Sequence, residues 1–200
     1  MTGLAALRDR LRRLLEARER VVGINRRNVA LVYPHNDRHH FPFADDKLLA
    51  KRVFAERGVP VPETLAVCDA LHEVPEVVGR LRGQGRFVVK PCNGAGGAGI
   101  LVVGEWSAER GAWLRAGGEE ISPIRLQRHL ADILFGAYSN QLEDRVFVER
   151  RVEPHPLFAG LWADGLCDVR VITFRAVPVL SMIRVPTRGS SRKGEAMNHS

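Results

Sequence analysis

Leucines recur at intervals of three and four residues near the start of the chain, at Leu4, Leu7, Leu11 and Leu14. This spacing places them along one face of a helix, while most neighbouring arginines fall on its other faces. Gly23 marks the end of the pattern. The sequence predicts an amphipathic helix that packs on the core or on a partner subunit. A nucleic-acid or lipid contact is the alternative use of this helix.

Shorter apolar runs, separated by glycine and proline, predict the remaining elements. Asp45 or Asp46 is the candidate N-cap of a second helix that runs to about Arg57 and stops at Gly58. Further helices are predicted at residues 73–81 and 124–134. Strands are predicted at residues 29–33, 64–67, 86–90, 100–103 and 145–149, followed by a hairpin of residues 167–174 and 177–183. Helices and strands do not strictly alternate, which favours an α+β fold over a doubly wound sheet.

A glycine-rich segment separates two of the predicted strands. Lys90 ends the first strand, and Gly94, Gly96, Gly97 and Gly99 follow within nine residues. Such glycines let successive backbone amides approach an anion without obstruction by side chains, which makes the segment a candidate phosphate-binding loop. A tight structural turn is the alternative, because glycine is also the default residue wherever φ is positive.

The order of elements around the glycines distinguishes three kinds of phosphate-binding loop. A Walker A loop carries lysine directly after its last glycine, where this chain has Ile100. A Rossmann loop leads into a helix, whereas residues 100–103 are apolar and mostly β-branched, as in a strand. A kinase glycine loop has its lysine on a later strand. What remains is a strand, glycine loop and strand arrangement with Lys90 on the entering strand.

Charge leaves several classes of partner open. The 200 residues carry a formal net charge of +7, with an isoelectric point of about 10.0. A basic surface attracts any polyanion, including nucleic acid and nucleotides. Aromatic residues make up only 6% of the chain and do not alternate with basic ones, so nucleic acid is a disfavoured partner. A non-catalytic basic module that binds nucleic acid or another acidic partner is kept as the alternative function.

Other compositional features exclude several further classes of protein. Cys68, Cys92 and Cys167 are widely spaced, which indicates buried thiols rather than a zinc site or a disulfide framework. No run of about 18 apolar residues exists, and charged residues interrupt the first leucines, so neither a membrane span nor a secretory signal is predicted. The expected location is therefore the cytoplasm.

Several short motifs occur in an order that is similar to one known family. Any single motif is weak, whereas the ordered set is specific. Together they resemble the α-L-glutamate-ligase-like, sugar-transfer-associated group of the ATP-grasp superfamily, related to RimK-type ligases. The resemblance extends from about residue 25 to the C-terminus. Its motifs are Asn36–Arg38, Asp45–Lys47 with Lys51, Gly58–Thr64, Phe87–Ile100, Asp132–Ser139, Phe147–Val152, Asp168–Arg170 and Arg184–Arg188.

The resemblance implies roles for residues at matching positions. Lys47 and Lys90 would contact the nucleotide phosphates as point charges, and the glycines at 94, 96, 97 and 99 would fold over the β and γ phosphates. The strand 147–152 would be the hinge between two subdomains. The nucleotide-binding residues in and just after this strand would be Glu149, Val152 and Glu153. Glu149 and neighbouring backbone groups would read the adenine, and Glu153 would lie near the ribose. Substrate-binding residues would be Asp168, Arg170 and Arg184, of which the two arginines are also the candidate catalytic residues.

The resemblance also implies a reaction. ATP-grasp ligases generally phosphorylate a small carboxylate with ATP and let an amine or similar nucleophile displace the phosphate, with Mg²⁺ bridging phosphate oxygens. The metal ligands are expected beyond residue 200, so no metal site is predicted within this chain. The tail Gly194–His199 departs from the Gly-Lys-Ala-Asn-Leu-His-like motif of relatives. We therefore expect a fragment or a shortened member that binds ATP weakly and turns over poorly.

These inferences give an overall architecture. The predicted fold is α+β and ATP-grasp-like, with a nucleotide cleft between two α+β subdomains and a truncated C-terminal part. Residues 1–44 would form an N-terminal helix and linker, residues 45–145 the first subdomain with the glycine loop, and residues 146–200 the start of the second. The sequence does not specify the carboxylate, the nucleophile or the oligomeric state.

Overall fold

The computed structural model describes residues 3–115, 118–159 and 166–185. The chain divides into two compact units, residues 1–42 and residues 43–200. The smaller unit is helical. It contains helix α1 (Gly3–Arg20), the short helix α2 (Ile24–Arg27), a π-helical turn (Asn28–Val32) and a 3₁₀ turn (Arg38–His40). The predicted amphipathic helix is thus confirmed as α1.

The predicted strand at residues 29–33 is wrong, because this segment is the π-helical turn. The amide of Tyr33 donates to the carbonyl of Asn28 at 2.9 Å, which closes an i to i+5 ring. Helix α2 leads directly into the turn, since Asn28 itself has helical φ and ψ. A five-residue apolar run fits either a strand or a buried helical turn, and here the preceding helix decided the outcome.

A four-stranded antiparallel sheet is the centre of the larger unit. Its strand order is β1-β7-β2-β3. In β2 and β7, Lys90 lies opposite Phe147 and Val88 lies opposite Glu149. The four strands are β1 (Thr64–Cys68), β2 (Phe87–Pro91), β3 (Leu101–Val103) and β7 (Val146–Arg150). All four predicted strands of this sheet are confirmed, and β7, the expected hinge strand, is one of its two inner strands.

Helices cover both faces of this sheet. On one face, Phe87, Val89, Val146 and Val148 belong to a single buried cluster that also contains side chains of two helices. Those helices are α5 (Val74–Leu81) and α6 (Pro123–Leu134). Successive strand residues point to opposite faces, so Lys90 and Glu149 lie on the other face. Helix α4 (Lys47–Glu56), which follows the short helix α3 (Pro42–Asp45), is on that side.

A second small sheet, which the sequence did not predict, extends the buried cluster. Its order is β4-β5-β6. Trp113 packs edge-on against Trp106 at a ring distance of 4.7 Å and against Phe87 at 5.9 Å, which joins this sheet to the main one. Its strands are β4 (Trp106–Ser107), β5 (Ala112–Leu114) and β6 (Glu120–Ile121). Strands of two or three residues are too short to show a periodic pattern.

The C-terminal part of the described chain holds the short helix α7 (Pro156–Ala159) and the predicted hairpin. This hairpin is confirmed as β8 (Asp168–Phe174) and β9 (Val177–Arg184). Arg175 and Ala176 form its two-residue turn with φ of 49° and 64°, as a type I′ turn requires. Every described side chain of the two strands is exposed.

Candidate functional site

Helix α4 brings two lysines to the polar face of the main sheet. The carboxylate of Asp46 accepts hydrogen bonds from the amides of Leu48 and Leu49 at 2.9 and 3.0 Å, so the predicted N-cap is confirmed at Asp46. Gly58 at φ 72° ends the helix, with the paired backbone bonds of a Schellman motif. Lys47 and Lys51 are one turn apart and therefore lie on the same side of the helix.

Three lysines and one glutamate form a charged cluster at this face. Glu149 is only 4% exposed, and its two carboxylate oxygens accept from different lysines. Lys51 Nζ lies 2.6 Å from Oε2, and Lys90 Nζ donates to Oε1. Lys51 also lies over the Phe147 ring, 5.4 Å from its centroid. The buried carboxylate is thus the counter-ion of two lysines that approach it from a helix and a strand.

Lys47 links the same cluster to the glycine loop. Its ammonium group donates to the carbonyl of Cys92 at 3.1 Å and to the carbonyl of Gly94. Burial lowers the pKa of Lys47 below its ordinary value, and the positive charge of Lys90 lowers that pKa further, against the opposing effect of Asp144. Lys47 and Lys90 are therefore close enough to act on each other electrostatically.

The glycine loop, residues 94–99, has the backbone that its composition predicts. Gly96, Gly97 and Gly99 have φ of 65°, 85° and 73°, in the left-handed region that disfavours other residues. A Cβ on Gly94 would lie 2.4 Å from the ring of Pro91. Among the described residues, no protein acceptor pairs with the loop amides of Gly94, Ala95, Gly96, Gly97 and Gly99. Such a loop has five donors to offer to an anion.

Asp144 holds the entrance of the loop. This carboxylate is 5% exposed and accepts from both the backbone amide and the side-chain amide of Asn93, at 3.1 and 2.9 Å. It also accepts from the hydroxyl of Ser139 and from the amide of Arg145 at 2.7 Å. Arg145 in turn pairs with the capping residue Asp46 at 2.6 Å. One network therefore connects the loop entrance, the start of β7 and the start of α4.

The exit of the loop is held from helix α6 and the turn that follows it. His129 Nε2 lies 3.0 Å from the carbonyl of Gly99, and burial lowers the pKa of this histidine, which favours its neutral form. A Cβ on Gly99 would lie 2.7 Å from the ring of Tyr138. The loop is thus fixed at both ends, while Gly96 and Gly97 border open space.

The comparisons with known proteins agree with this geometry. The family model described as sugar-transfer associated ATP-grasp matches residues 26–200. The chain belongs to this family. No curated protein and no solved structure matches the chain. The ATP-grasp resemblance and the α+β ATP-grasp-like fold are therefore confirmed, and with them an ATP-binding, ATP-dependent function in general.

The remaining predicted site residues of this ATP-grasp chain form no recorded hydrogen bond or ion pair with the lysine cluster in the described part of the chain. Val152 and Glu153 follow β7 and are exposed, and Glu153 pairs with Arg86 at 3.3 Å. On the hairpin, both oxygens of Asp168 accept from the guanidinium of Arg184, which lowers the pKa of Asp168. Among the described residues, no hydrogen bond or ion pair connects Arg170 or this pair to the lysine cluster. The tail 194–199 lies outside the described residues.

The structure adds partners that sequence reasoning missed. The sequence motifs include Lys51 without a role, and they indicate no role for Asp144, Asn93 or His129. Lys51 and Glu149 are 98 positions apart, so no local pattern could pair them. One usable signal was the spacing of Lys47 and Lys51, since residues four apart share a helix face.

The described residues do not fit a magnesium site. Magnesium prefers several oxygen ligands arranged octahedrally, and no group of three or more His, Cys, Asp or Glu side chains that could hold a metal occurs in the described ranges. The oxygens of Glu149 are already occupied by lysines. Ammonium groups and backbone amides without a protein acceptor are, in contrast, the kinds of group that complement phosphate oxygens.

Two further findings bear on the class of protein. No helix in the described part of the chain combines the length and apolarity needed to cross a bilayer. All three cysteines are buried and free, which confirms their prediction as buried thiols. Burial raises the pKa of Cys92 to about 12 and that of Cys68 to about 11, so both remain protonated thiols near neutral pH.

Proposed function

We propose that this chain is an ADP-forming ligase of the carboxylate–amine type that binds ATP between helix α4 and the glycine loop. A single observation carries the proposal: Lys47 donates to the carbonyls of Cys92 and Gly94, at the entrance of a loop with five amides that have no protein acceptor among the described residues. Lys90 lies on β2, the strand that leads into this loop. The two positive charges of Lys47 and Lys90, together with several N–H groups, suit a triphosphate better than a singly charged anion. The cytoplasm is the proposed location, because this reaction consumes ATP.

The proposed chemistry has two steps. A carboxylate oxygen of the substrate attacks the γ phosphorus of ATP, the bond to the β–γ bridging oxygen breaks, and ADP leaves. An amine then attacks the acyl carbon, loses a proton, and inorganic phosphate departs. In this scheme Lys47 and Lys90 neutralise the phosphate oxygens, and the loop amides hold the γ phosphate in line. No step is assigned to a metal on the described residues.

Lys90 has to change partner for this role. Glu149 accepts a hydrogen bond from Lys90, so a phosphate would compete with that carboxylate for the ammonium group. Lys51 can keep Glu149 neutralised when Lys90 turns away, because it contacts the other carboxylate oxygen at 2.6 Å. Arg184 is similarly held by Asp168. In the proposal Arg170 and Arg184 receive the substrate carboxylate, and Glu149, Val152 and Glu153 contact the nucleoside.

The decisive experiment is an ATP titration of the purified chain by calorimetry, with Lys90→Gln and a matched control. A charged hydrogen bond to phosphate is worth about 1.5–3 kcal/mol, so we expect Lys90→Gln to weaken ATP binding by roughly tenfold or more. Arg80→Gln also removes one positive charge, but from an exposed pair with Glu76 on α5. It should leave ATP affinity unchanged.

Three results would contradict the proposal. They are absence of ATP binding by the parent chain, equal losses in both variants, or salt-sensitive DNA binding without any ATP effect. The ligase step is tested separately with hydroxylamine as the amine, with magnesium in the buffer. An acyl phosphate would be trapped as a hydroxamate together with ADP. ADP release without hydroxamate, for every carboxylate supplied, would argue against the acyl-phosphate route.

We expect ATP affinity to fall as the pH rises towards the ordinary lysine pKa of about 10.5. The pKa of Lys47 is lowered in the free protein, first by burial and then by Lys90. Its ammonium group is therefore lost at a lower pH than in an exposed lysine, and phosphate binding loses that charge. Lys47→Arg keeps its charge, since guanidinium has a pKa above 12. Calorimetry over this range should show a flatter profile for Lys47→Arg; parallel profiles would contradict the assignment.

A further inference from the structure

Helix α1 carries a continuous apolar stripe that the other residues of its own unit leave uncovered. The side chains of Leu7, Leu11, Leu14 and Leu15 are 51–61% exposed, although leucine is among the residues most often buried. The exposed apolar surface continues after the helix with Val21 and other side chains of the same unit. These further residues are Val22, Ile24, Val29 and Leu31. Nine exposed apolar side chains within residues 7–31 indicate a binding face rather than scattered apolar residues.

Arginines flank the stripe on both sides. At 100° per residue, Arg8 and Arg10 fall on opposite edges of the face that carries Leu7 and Leu11. On the far side of the helix, Asp9 pairs with Arg12 and Arg13 at 2.9 and 2.8 Å. The acidic residue is thus occupied by arginines of the polar face, and positive charge remains at the edges of the apolar stripe.

A groove continues the stripe at the C-terminal end of α1. Its volume is about 620 Å³, and it is lined by Leu15, Arg18, Val21, Gly23 and Arg26. Apolar walls combined with the guanidinium group of Arg18 suit a molecule that has both a hydrocarbon part and an anionic head. Long arginine side chains can bury their stems against apolar groups while the charge stays in water.

We infer that residues 3–32 form a docking surface for an anionic lipid bilayer, with α1 lying in the plane of the interface. Amphipathic helices with a narrow apolar face and flanking arginines bind membranes in this way. Charge complementarity supports the assignment. Residues 1–42 contain nine arginines, no lysine and four acidic residues, so a net +5 of the chain's formal +7 lies in this unit. This inference is independent of the proposed ligase function.

The same features disfavour two other occupants. Leu4, Leu7, Leu11 and Leu14 have the spacing of a coiled-coil seam, but Arg18 takes the next seam position after only two heptads. Arg8 and Arg10, which flank this seam, are both positively charged, so they would also offer no acidic partner to a second copy. Nucleic acid would engage the arginines but would leave the exposed leucines in water.

The test is flotation of the full chain with two kinds of vesicle, one of phosphatidylcholine alone and one containing phosphatidylglycerol. The variants are Leu11→Gln on the stripe and Ala5→Gln on the opposite side of the helix. Both introduce glutamine, which has good helix propensity, and circular dichroism checks that each variant keeps the helical content of the parent. We expect binding to the anionic vesicles only, a loss of roughly tenfold or more for Leu11→Gln, and no change for Ala5→Gln.

Each other outcome would overturn the inference. Equal binding to both vesicles would remove the role of charge, and equal losses in both variants would remove the role of the stripe. Absence of vesicle binding, together with dimer formation that Leu11→Gln abolishes in light scattering, would identify a second copy as the occupant. Absence of vesicle binding by a monomer, with Leu11→Gln lowering the melting temperature, would identify the chain's own residues 43–200. Tight DNA binding unaffected by Leu11→Gln would assign the arginines to nucleic acid.

Discussion

Replacement of Glu149 by glutamine should destabilise the ligand-free chain by about 3 kcal/mol, because it leaves two partly buried lysines without their shared counter-ion. The carboxylate is 4% exposed and accepts from Lys51 and Lys90 on opposite oxygens. Glutamine keeps the shape but has one acceptor oxygen, and its NH₂ group would face an ammonium group. Urea unfolding at neutral pH measures the change in the free energy of unfolding.

The chain offers a matched control for this result. Glu63 is also a glutamate in an ion pair, with Arg150 at 2.8 Å, but both side chains are about half exposed. Exposed pairs of this kind contribute about 0–1 kcal/mol, so Glu63→Gln should unfold close to the parent midpoint. Equal free energies of unfolding for Glu149→Gln and Glu63→Gln would contradict this expectation. They would mean that solvation of the two lysines replaces the ion pair with Glu149.

The elements of the site were predictable because their signals are local. The cap at Asp46, the stop at Gly58 and the turn between β8 and β9 each depend on a few consecutive residues. Lys90 was recognisable because it lies near the end of an apolar strand, four residues before the first glycine of the loop. Such signals are short-range backbone preferences, which tertiary structure seldom overrides when they agree with the hydrophobic pattern.

The partners of those residues were not predictable, because they come from distant parts of the chain. Lys90 and Glu149 meet only through the pairing of β2 with β7, which places Val88 opposite Glu149. The family resemblance implies that Glu149 reads adenine, and no residue near it in the sequence indicates that it pairs with lysines. The subdivision of the larger unit at residue 145 stays a prediction.

The failed strand at residues 29–33 illustrates a second limit. Its five residues are apolar or aromatic, which is the composition of a strand. A strand also needs a neighbouring strand with which to pair. Helical geometry satisfied the same backbone groups within the segment, through the bond from Tyr33 to Asn28. The short strands β4 to β6 were missed for the converse reason, since their partners, not their sequences, define them.

Asp144→Ala should reduce both stability and nucleotide binding, because this one carboxylate satisfies four donors at the entrance of the glycine loop. Alanine would leave the two amides of Asn93 and the hydroxyl of Ser139 without an acceptor. An unsatisfied buried donor costs about 1–3 kcal/mol, so we expect a loss of about 3–4 kcal/mol in the free energy of unfolding. Asp144→Asn should recover little of it, because the new NH₂ group would oppose these donors.

The same variant distinguishes a loop-positioning role from a purely structural one. At a temperature where Asp144→Ala is still folded by circular dichroism, we expect its ATP affinity to be at least about tenfold weaker, since the loop amides lose their fixed placement. Asp69→Asn is the matched control. The Asp69 carboxylate is mostly exposed, and its pair with Arg145 is a long one, at 3.9 Å. Wild-type ATP affinity in folded Asp144→Ala would mean that the loop finds its geometry without this anchor. The entrance network would then stabilise the sheet alone, and preorganisation of the loop would have to come from its exit, where His129 meets Gly99.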